Sequence, residues 1–216
     1  MGDLGAIRSQ RFTGSERFHD GKRAIGFSLL DYWQWSASDL VSNTSRGVVA
    51  EFLVASAIGI AGGVREEWAA YDLESPDGIR IEVKSSAYLQ GWRQADYSKV
   101  MFSCKKSHGW DRESGQMSDE LKRQADVYVF CLLAHRQQET LDLLDVSQWE
   151  FYVLPTVELD SRTRSQRSIT LRSLQALAGA PVPHSGLGAA IHDAAIVQHA
   201  TCVDSTSTPA ATVRES

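Results

Sequence analysis

Residues 71–86 read Y-D-L-E-S-P-D-G-I-R-I-E-V-K-S-S and bring carboxylates, a lysine and a tight turn together. Proline presets φ within Ser75-Pro76-Asp77-Gly78, and glycine takes the left-handed position that closes a three-residue hairpin loop with a bulge. This loop predicts the pairs Ser75/Ile79, Glu74/Arg80, Leu73/Ile81, Asp72/Glu82 and Tyr71/Val83. Strand side chains alternate between faces, so a one-residue slip would invert the set. In this register Tyr71, Leu73, Ile81 and Val83 share an apolar face, and Asp72, Glu74, Arg80, Glu82 and Lys84 share a polar one. A two-residue loop would mix the two faces.

Asp72 and Glu82 then face each other across the hairpin, with Cβ atoms roughly 4.5–5.5 Å apart and Lys84 one step further along. Directly opposed like charges destabilise a sheet. A divalent cation between them reverses the sign, which makes the pair a candidate Mg²⁺ site with a lysine beside it. A solvated strand face, its acids offset by Arg80 and Lys84, is the competing reading of the same residues.

A third carboxylate comes from upstream. Residues 46–58 predict a helix, with N-cap candidates in Ser42-Asn43-Thr44-Ser45. Val48, Val49, Phe52, Leu53, Ala55 and Ile58 form its apolar arc, and Glu51 falls just inside the edge of that arc. A buried acid is costly unless it is paired or metal-bound. Pairing with Arg46 or an escape to the helix edge would also satisfy it.

The remaining elements supply the frame. Residues 27–41 predict a helix packing two tryptophans, and residues 59–63 end the helix that carries Glu51. A strand is predicted over 64–68, hairpin strands over 69–74 and 79–87, and a further strand over 98–104. Residues 118–124 predict a short helix, and 126–134 a central strand covered on both faces. A strand over 149–156 is stopped by Pro155, and Thr170 caps a helix over 171–178. Three units follow: an N-terminal arm over 1–26, an α/β domain over 27–179, and a mostly disordered tail rich in Ala, Gly, Ser and Thr over 180–216. No internal repeat is evident.

Composition bounds the function. Net charge is −5, with 43% hydrophobic and 23% charged residues, which argues against binding nucleic acid by bulk positive charge and leaves a local basic groove open. Cys104, Cys131 and Cys202 are widely spaced and odd in number, which fits a reducing compartment and no zinc or disulfide framework. Residues 47–64 are uncharged apart from Glu51, but a Gly62-Gly63 break predicts a core helix and turn, not a membrane span. With no signal-peptide pattern at the N-terminus, a cytoplasmic location is expected.

With Glu51 on a helix, Asp72 on the next strand and Glu82-Val83-Lys84 on its partner, residues 45–134 resemble the PD-(D/E)XK nuclease superfamily. The resemblance implies a restriction-endonuclease-like, three-layer α/β/α fold with a central mixed β-sheet. It implies Mg²⁺, with Mn²⁺ as a substitute, held by Asp72, Glu82 and the carbonyl of Val83. Lys84 would orient or deprotonate water or stabilise the oxyanion, and Glu51 would orient water or assist a second ion. The expected activity is metal-dependent endonucleolytic hydrolysis of DNA, with RNA left open and a homodimer compatible.

One departure concerns the acid. The literal Pro-Asp dipeptide is Pro76-Asp77, but Asp77 falls in the turn, so the family's acid is carried onto Asp72, with Asp77 as the lesser candidate. Ser85, Tyr88, Gln90, Trp92, Arg93, Lys105 and Lys106 form the candidate nucleic-acid-binding rim, since such groups suit phosphate and sugar contact. A nuclease-fold binding or regulatory module without turnover, and a structural interaction protein with a charged strand face, are the alternatives.

Overall fold

The computed structural model describes residues 5–67, 69–111, 114–163 and 166–206, with residues 202–206 described by backbone alone. The chain begins with a hairpin, β1 (Arg17–Asp20) and β2 (Arg23–Ser28), followed by α1 (Leu29–Ala37) and α2 (Asn43–Ala57). Next come β3 (Leu73–Glu74), β4 (Arg80–Ala87) and β5 (Met101–Ser103), then a second hairpin of β6 (Ser107–Asp111) and β7 (Gln116–Lys122). The C-terminal half holds β8 (Val127–Leu133), β9 (Trp149–Pro155), α3 (Thr156–Asp160), β10 (Ser168–Thr170), α4 (Leu171–Ala178) and α5 (His184–Thr206).

The chain is mixed α/β, and its central sheet runs β3-β4-β8-β9. β3 and β4 are antiparallel, β4 and β8 parallel, and β8 and β9 antiparallel, so the sheet is mixed. Every residue of β8 is buried, as its unbroken apolar run requires. Alternation divides the core into two clusters. Ile81, Val83, Val127, Val129, Cys131 and Phe151 pack with Ala50 and Leu53 of α2 and with Leu187 and Ile191 of α5. Tyr128, Phe130, Leu132, Tyr152 and Leu154 pack on the opposite side with Phe102, Leu159, Ile169 and Leu174.

Capping follows the residue types. Ser42 accepts from the Ser45 N–H at the start of α2, and Thr170 accepts from the Ser173 N–H at the start of α4. Gly59, at φ +78°, follows the C-cap of α2. Asp126 ties the hairpin to β8: its Oδ2 accepts both the Arg80 N–H and Nε at 3.0 Å, and its Oδ1 accepts from Nη2 at 2.5 Å.

Several expectations are corrected. The C-terminal segment is not a loose tail over its described part: α5 buries Leu187 and Ile191, and its His184 Nε2 lies 2.9 Å from the Leu53 carbonyl oxygen. Alanine and glycine lower the hydrophobicity of this segment but let it lie close to α2. A Cβ on Gly188 would meet the Ala57 carbonyl oxygen at 2.8 Å. Residues 207–216 lie outside the described residues. Residues 17–28, which begin in the predicted N-terminal arm and end beyond it, form a hairpin whose register shifts between Arg17 and His19.

α1 exists, but it buries neither tryptophan; Trp33 and Trp35 are both exposed. Residues 64–67 form no strand, and Trp68 lies outside the described residues. Residues 118–122, expected as part of a helix, belong to β7, whose partner is the strand β6. The crossover between parallel β4 and β8 therefore contains β5 and the β6–β7 hairpin where a helix was expected. Among the described residues, no helix is long and apolar enough to cross a membrane.

Candidate active site

The turn has the predicted form. Gly78 has φ +79° and donates to the Ser75 carbonyl at 2.9 Å, while the Ser75 N–H donates to the Ile79 carbonyl at 3.0 Å. Leu73 pairs with Ile81 and Glu74 with Arg80. β3 ends there, so Tyr71 and Asp72 stand just outside the ladder. The Asp72 N–H donates to the Ile81 carbonyl at 3.1 Å. Tyr71 consequently leaves the face of Leu73 and Ile81, packs against the Tyr128–Phe130 cluster and donates its hydroxyl to Glu74. That bond and burial push the Tyr71 phenol up to about 12.

Leaving the ladder lets the Asp72 carboxylate turn back onto β4, where its Oδ2 accepts the Val83 N–H at 2.7 Å. Lys84 Nζ lies 3.9 Å from that same oxygen and forms an ion pair with Glu82 Oε1. One ammonium thus reaches both carboxylates. Burial, and then the Glu82 charge, hold the Asp72 carboxyl above its ordinary value, while Lys84, the Val83 N–H and Arg65 pull against them. Asp77 is exposed in the turn.

Glu51 projects from α2 with 12% of its side chain exposed, and Arg65 holds it through two nitrogens, with Nη2 at 3.0 Å from Oε1. Arg65 also acts electrostatically on Asp72. Glu51, Phe52, Arg65, Tyr71 and Asp72 line one pocket of about 320 Å³. Arg46, the anticipated alternative partner of Glu51, points elsewhere. It is 4% exposed and donates to Ser85 Oγ at 3.2 Å, Gln90 Oε1 at 3.1 Å, the Val41 carbonyl at 3.3 Å and Asn43 Oδ1 at 2.7 Å. These bonds lock the first turn of α2 to the end of β4.

The predicted rim is therefore only partly available. Ser85 and Gln90 are committed to Arg46, a sterically enclosed cation whose donors need internal acceptors. Tyr88 lies under the Arg136 guanidinium, 4.1 Å from its ring centre. Lys106 pairs with Asp160 at 3.5 Å. Trp92, Arg93 and Lys105 remain exposed. Nothing local identifies Glu51, 14 residues away, as the partner of Arg65, or Ser85 and Gln90, 39 and 44 residues away, as acceptors for Arg46.

Asp72 and Glu82 offer hard oxygen ligands on adjacent backbone, the donor type that Mg²⁺ uses together with water and substrate phosphate. Burial and the neighbouring Glu82 charge burden the Asp72 carboxylate and give such a cation a physical reason to bind. Among the described residues, no three His, Cys, Asp or Glu side chains gather closely enough to hold a metal together. The residues therefore suit a two-carboxylate site and not an all-protein cage.

The family model of bacteriophage T4 endonuclease IV matches residues 22–172, more than two thirds of the chain. The chain belongs to the bacteriophage T4 endonuclease IV family. The match spans α2, the hairpin with Asp72, Glu82 and Lys84, and all four strands of the central sheet. It thus attaches a nuclease family to the part of the chain that carries the carboxylate–lysine cluster. A search of curated proteins finds no match.

Proposed function

We propose that the chain is a Mg²⁺-dependent endodeoxyribonuclease whose site is Asp72, Glu82 and Lys84, in a variant of the restriction-endonuclease-like α/β/α fold. The observation that carries this reading is the placement of one lysine ammonium against two carboxylates, within the segment matched by an endonuclease family. Two cluster layers on a mixed sheet support the fold assignment.

Asp72 and Glu82 would hold the cation, with the Val83 carbonyl as a further oxygen ligand. When bound, the cation lowers the pKa of ligated water and neutralises charge on the attacked phosphate. The Val83 N–H fixes the rotamer of Asp72, so this ligand is oriented before substrate arrives. Lys84 balances the carboxylate pair in the resting site. Its ammonium would orient the attacking water or stabilise the developing negative charge on phosphorus-bound oxygen. Glu51 supports the site through Arg65 and assists in positioning water from the pocket side.

Plasmid DNA incubated with Mg²⁺, Mn²⁺ or EDTA tests the reading. Nicking should require the metal, fall by about 100-fold or more in Glu82→Gln and Lys84→Ala, and persist in Asp77→Ala. Nicking that survives the first two substitutions would remove the site assignment. DNA binding without any metal-dependent cleavage would leave a nuclease-fold binding module.

A further inference from the structure

Residues 5–37 form a unit that contributes no side chain to either core cluster. The unit holds itself together. Leu29 N–H donates to the Glu16 carbonyl at 2.8 Å, Leu30 N–H to the Gly14 carbonyl at 2.9 Å, and the Phe18 and Tyr32 rings meet edge to face at 6.4 Å. Ser28 and Asp31 complete a capping box on α1. A folded unit of this kind normally turns its large apolar side chains inward. Here Phe12, Phe18, Phe27, Tyr32, Trp33 and Trp35 are all exposed, Phe27 by 62% and Trp35 by 85%.

Charge narrows what could cover these rings. The segment carries Arg8, Arg11, Arg17, Lys22 and Arg23 against Glu16, Asp20 and Asp31, in a chain whose net charge is −5. Two of the acids are spent internally: Glu16 accepts the Thr13 and Gly14 N–H groups, and Asp31 accepts the Ser28 N–H at 2.7 Å. Asp20 stands across the turn from Arg23. Among the described residues, none of the five cations forms an ion pair at salt-bridge distance. Along β2, the period of two places Arg23, Ile25 and Phe27 on one face, interleaving a cation with an aromatic ring.

Exposed rings beside cations that form no carboxylate ion pair at salt-bridge distance among the described residues match the way single-stranded nucleic acid is held, by base stacking with phosphate neutralisation. A second copy of the chain would cover the rings but would bring five more cations to the interface. We propose that residues 5–37 are a single-strand-binding arm, with Phe27, Tyr32 and Trp35 as stacking surfaces and Arg17, Lys22 and Arg23 as phosphate contacts. The proposal rests on nucleic acid as the partner of the chain, and not on its metal chemistry.

The experiment uses the full chain carrying Glu82→Gln, in EDTA, titrated into fluorescent dT30 and a 30-base-pair duplex. Adding Phe27→Ala and Trp35→Ala should weaken dT30 binding about tenfold or more and duplex binding by less than about threefold, since stacking needs open bases. Adding Arg17→Ala, Lys22→Ala and Arg23→Ala should flatten the log Kd against log salt slope by about 2 for dT30, near 0.7 per lost phosphate contact. Unchanged dT30 affinity, or equal losses on duplex, would overturn the arm. Sedimentation showing self-association that disappears with Phe27→Ala and Trp35→Ala would overturn it in favour of a second copy. Loss of the arm alone leaves metal-dependent plasmid nicking and residual DNA binding in place. Failure of the nuclease reading abolishes metal-dependent nicking in the wild-type chain and leaves the dT30 titration to decide the arm by itself.

Discussion

The Asp72 carboxylate accepts the Val83 amide proton at 2.7 Å, so an acid that lies outside the β3 ladder is nevertheless fixed to β4. Its carboxyl is held above its ordinary value by burial and by Glu82. A raised folded-state value means that the ionised carboxylate costs stability above the unfolded pKa, and that acidification relieves the cost. Asp72→Asn keeps an acceptor for Val83 and removes the charge. Thermal unfolding at pH 7 should therefore show an unchanged or higher Tm, while plasmid nicking falls by about 100-fold or more. A drop in Tm with activity retained would mean that Asp72 is structural.

The same raised value predicts proton release when a cation binds. Isothermal titration of Mg²⁺ in buffers of different ionisation enthalpy should reveal protons leaving the site as the pH approaches the Asp72 value from above. Affinity should weaken as the pH falls further. The proton count should fall in Asp72→Asn, leaving only what Glu82 contributes. A metal affinity independent of pH over the acid range would contradict the assignment of Asp72 as ligand.

Asp126 has the opposite sign. Burial works to raise its carboxyl, but the guanidinium and N–H of Arg80 outweigh burial and hold it below the ordinary value. Its contribution is present above the unfolded pKa, near 3.9, and is lost as the pH falls through the lower folded value. Urea unfolding of the wild type should weaken over that acid interval, and Asp126→Asn should flatten the dependence. At pH 7 the substitution should cost about 1–3 kcal/mol, since it weakens charge-assisted bonds to Arg80.

Arg65→Met leaves the Glu51 carboxylate without its guanidinium in a setting where little of it meets water. A loss of about 1–3 kcal/mol is expected in chemical denaturation. Glu51→Gln combined with Arg65→Met should recover part of that loss, because no charge then remains to be paired. Additive costs in this double-mutant cycle would show the two residues to be uncoupled.

Gly188→Ala isolates the crossing of α2 and α5. Helix propensity alone would favour alanine by about 1 kcal/mol, yet the new methyl would lie 2.8 Å from a backbone oxygen of Ala57. Net destabilisation in urea denaturation is the expected result, and a gain in stability would show that the helices separate freely.

The sequence exposes this fold unevenly. The Ser75–Gly78 turn and the pairing of Leu73 with Ile81 follow from turn chemistry and alternation, both local properties, and β8 follows from its unbroken apolar run. Asp72 was reachable through that register, although its final bond to Val83 depends on the ladder ending at Leu73. The partner of Glu51 was not reachable, because Arg65 sits in a loop whose course depends on tertiary packing. Met117 and Leu121, four residues apart, suit a helix as well as a strand, and only the pairing with β6 decides for β7. α5 escaped because its small residues resemble a linker in composition, while their use is to permit close helix packing.

α5 has a temporal implication. It supplies Leu187, Ile191, Ala194 and Ala195 to the cluster that also holds Ala50 and Leu53 of α2. On a ribosome, the helix bearing Glu51 emerges well before α5, its cover. A chain that stops at α4 therefore leaves the α2 side of this core cluster without its cover. Premature termination yields an unfinished core.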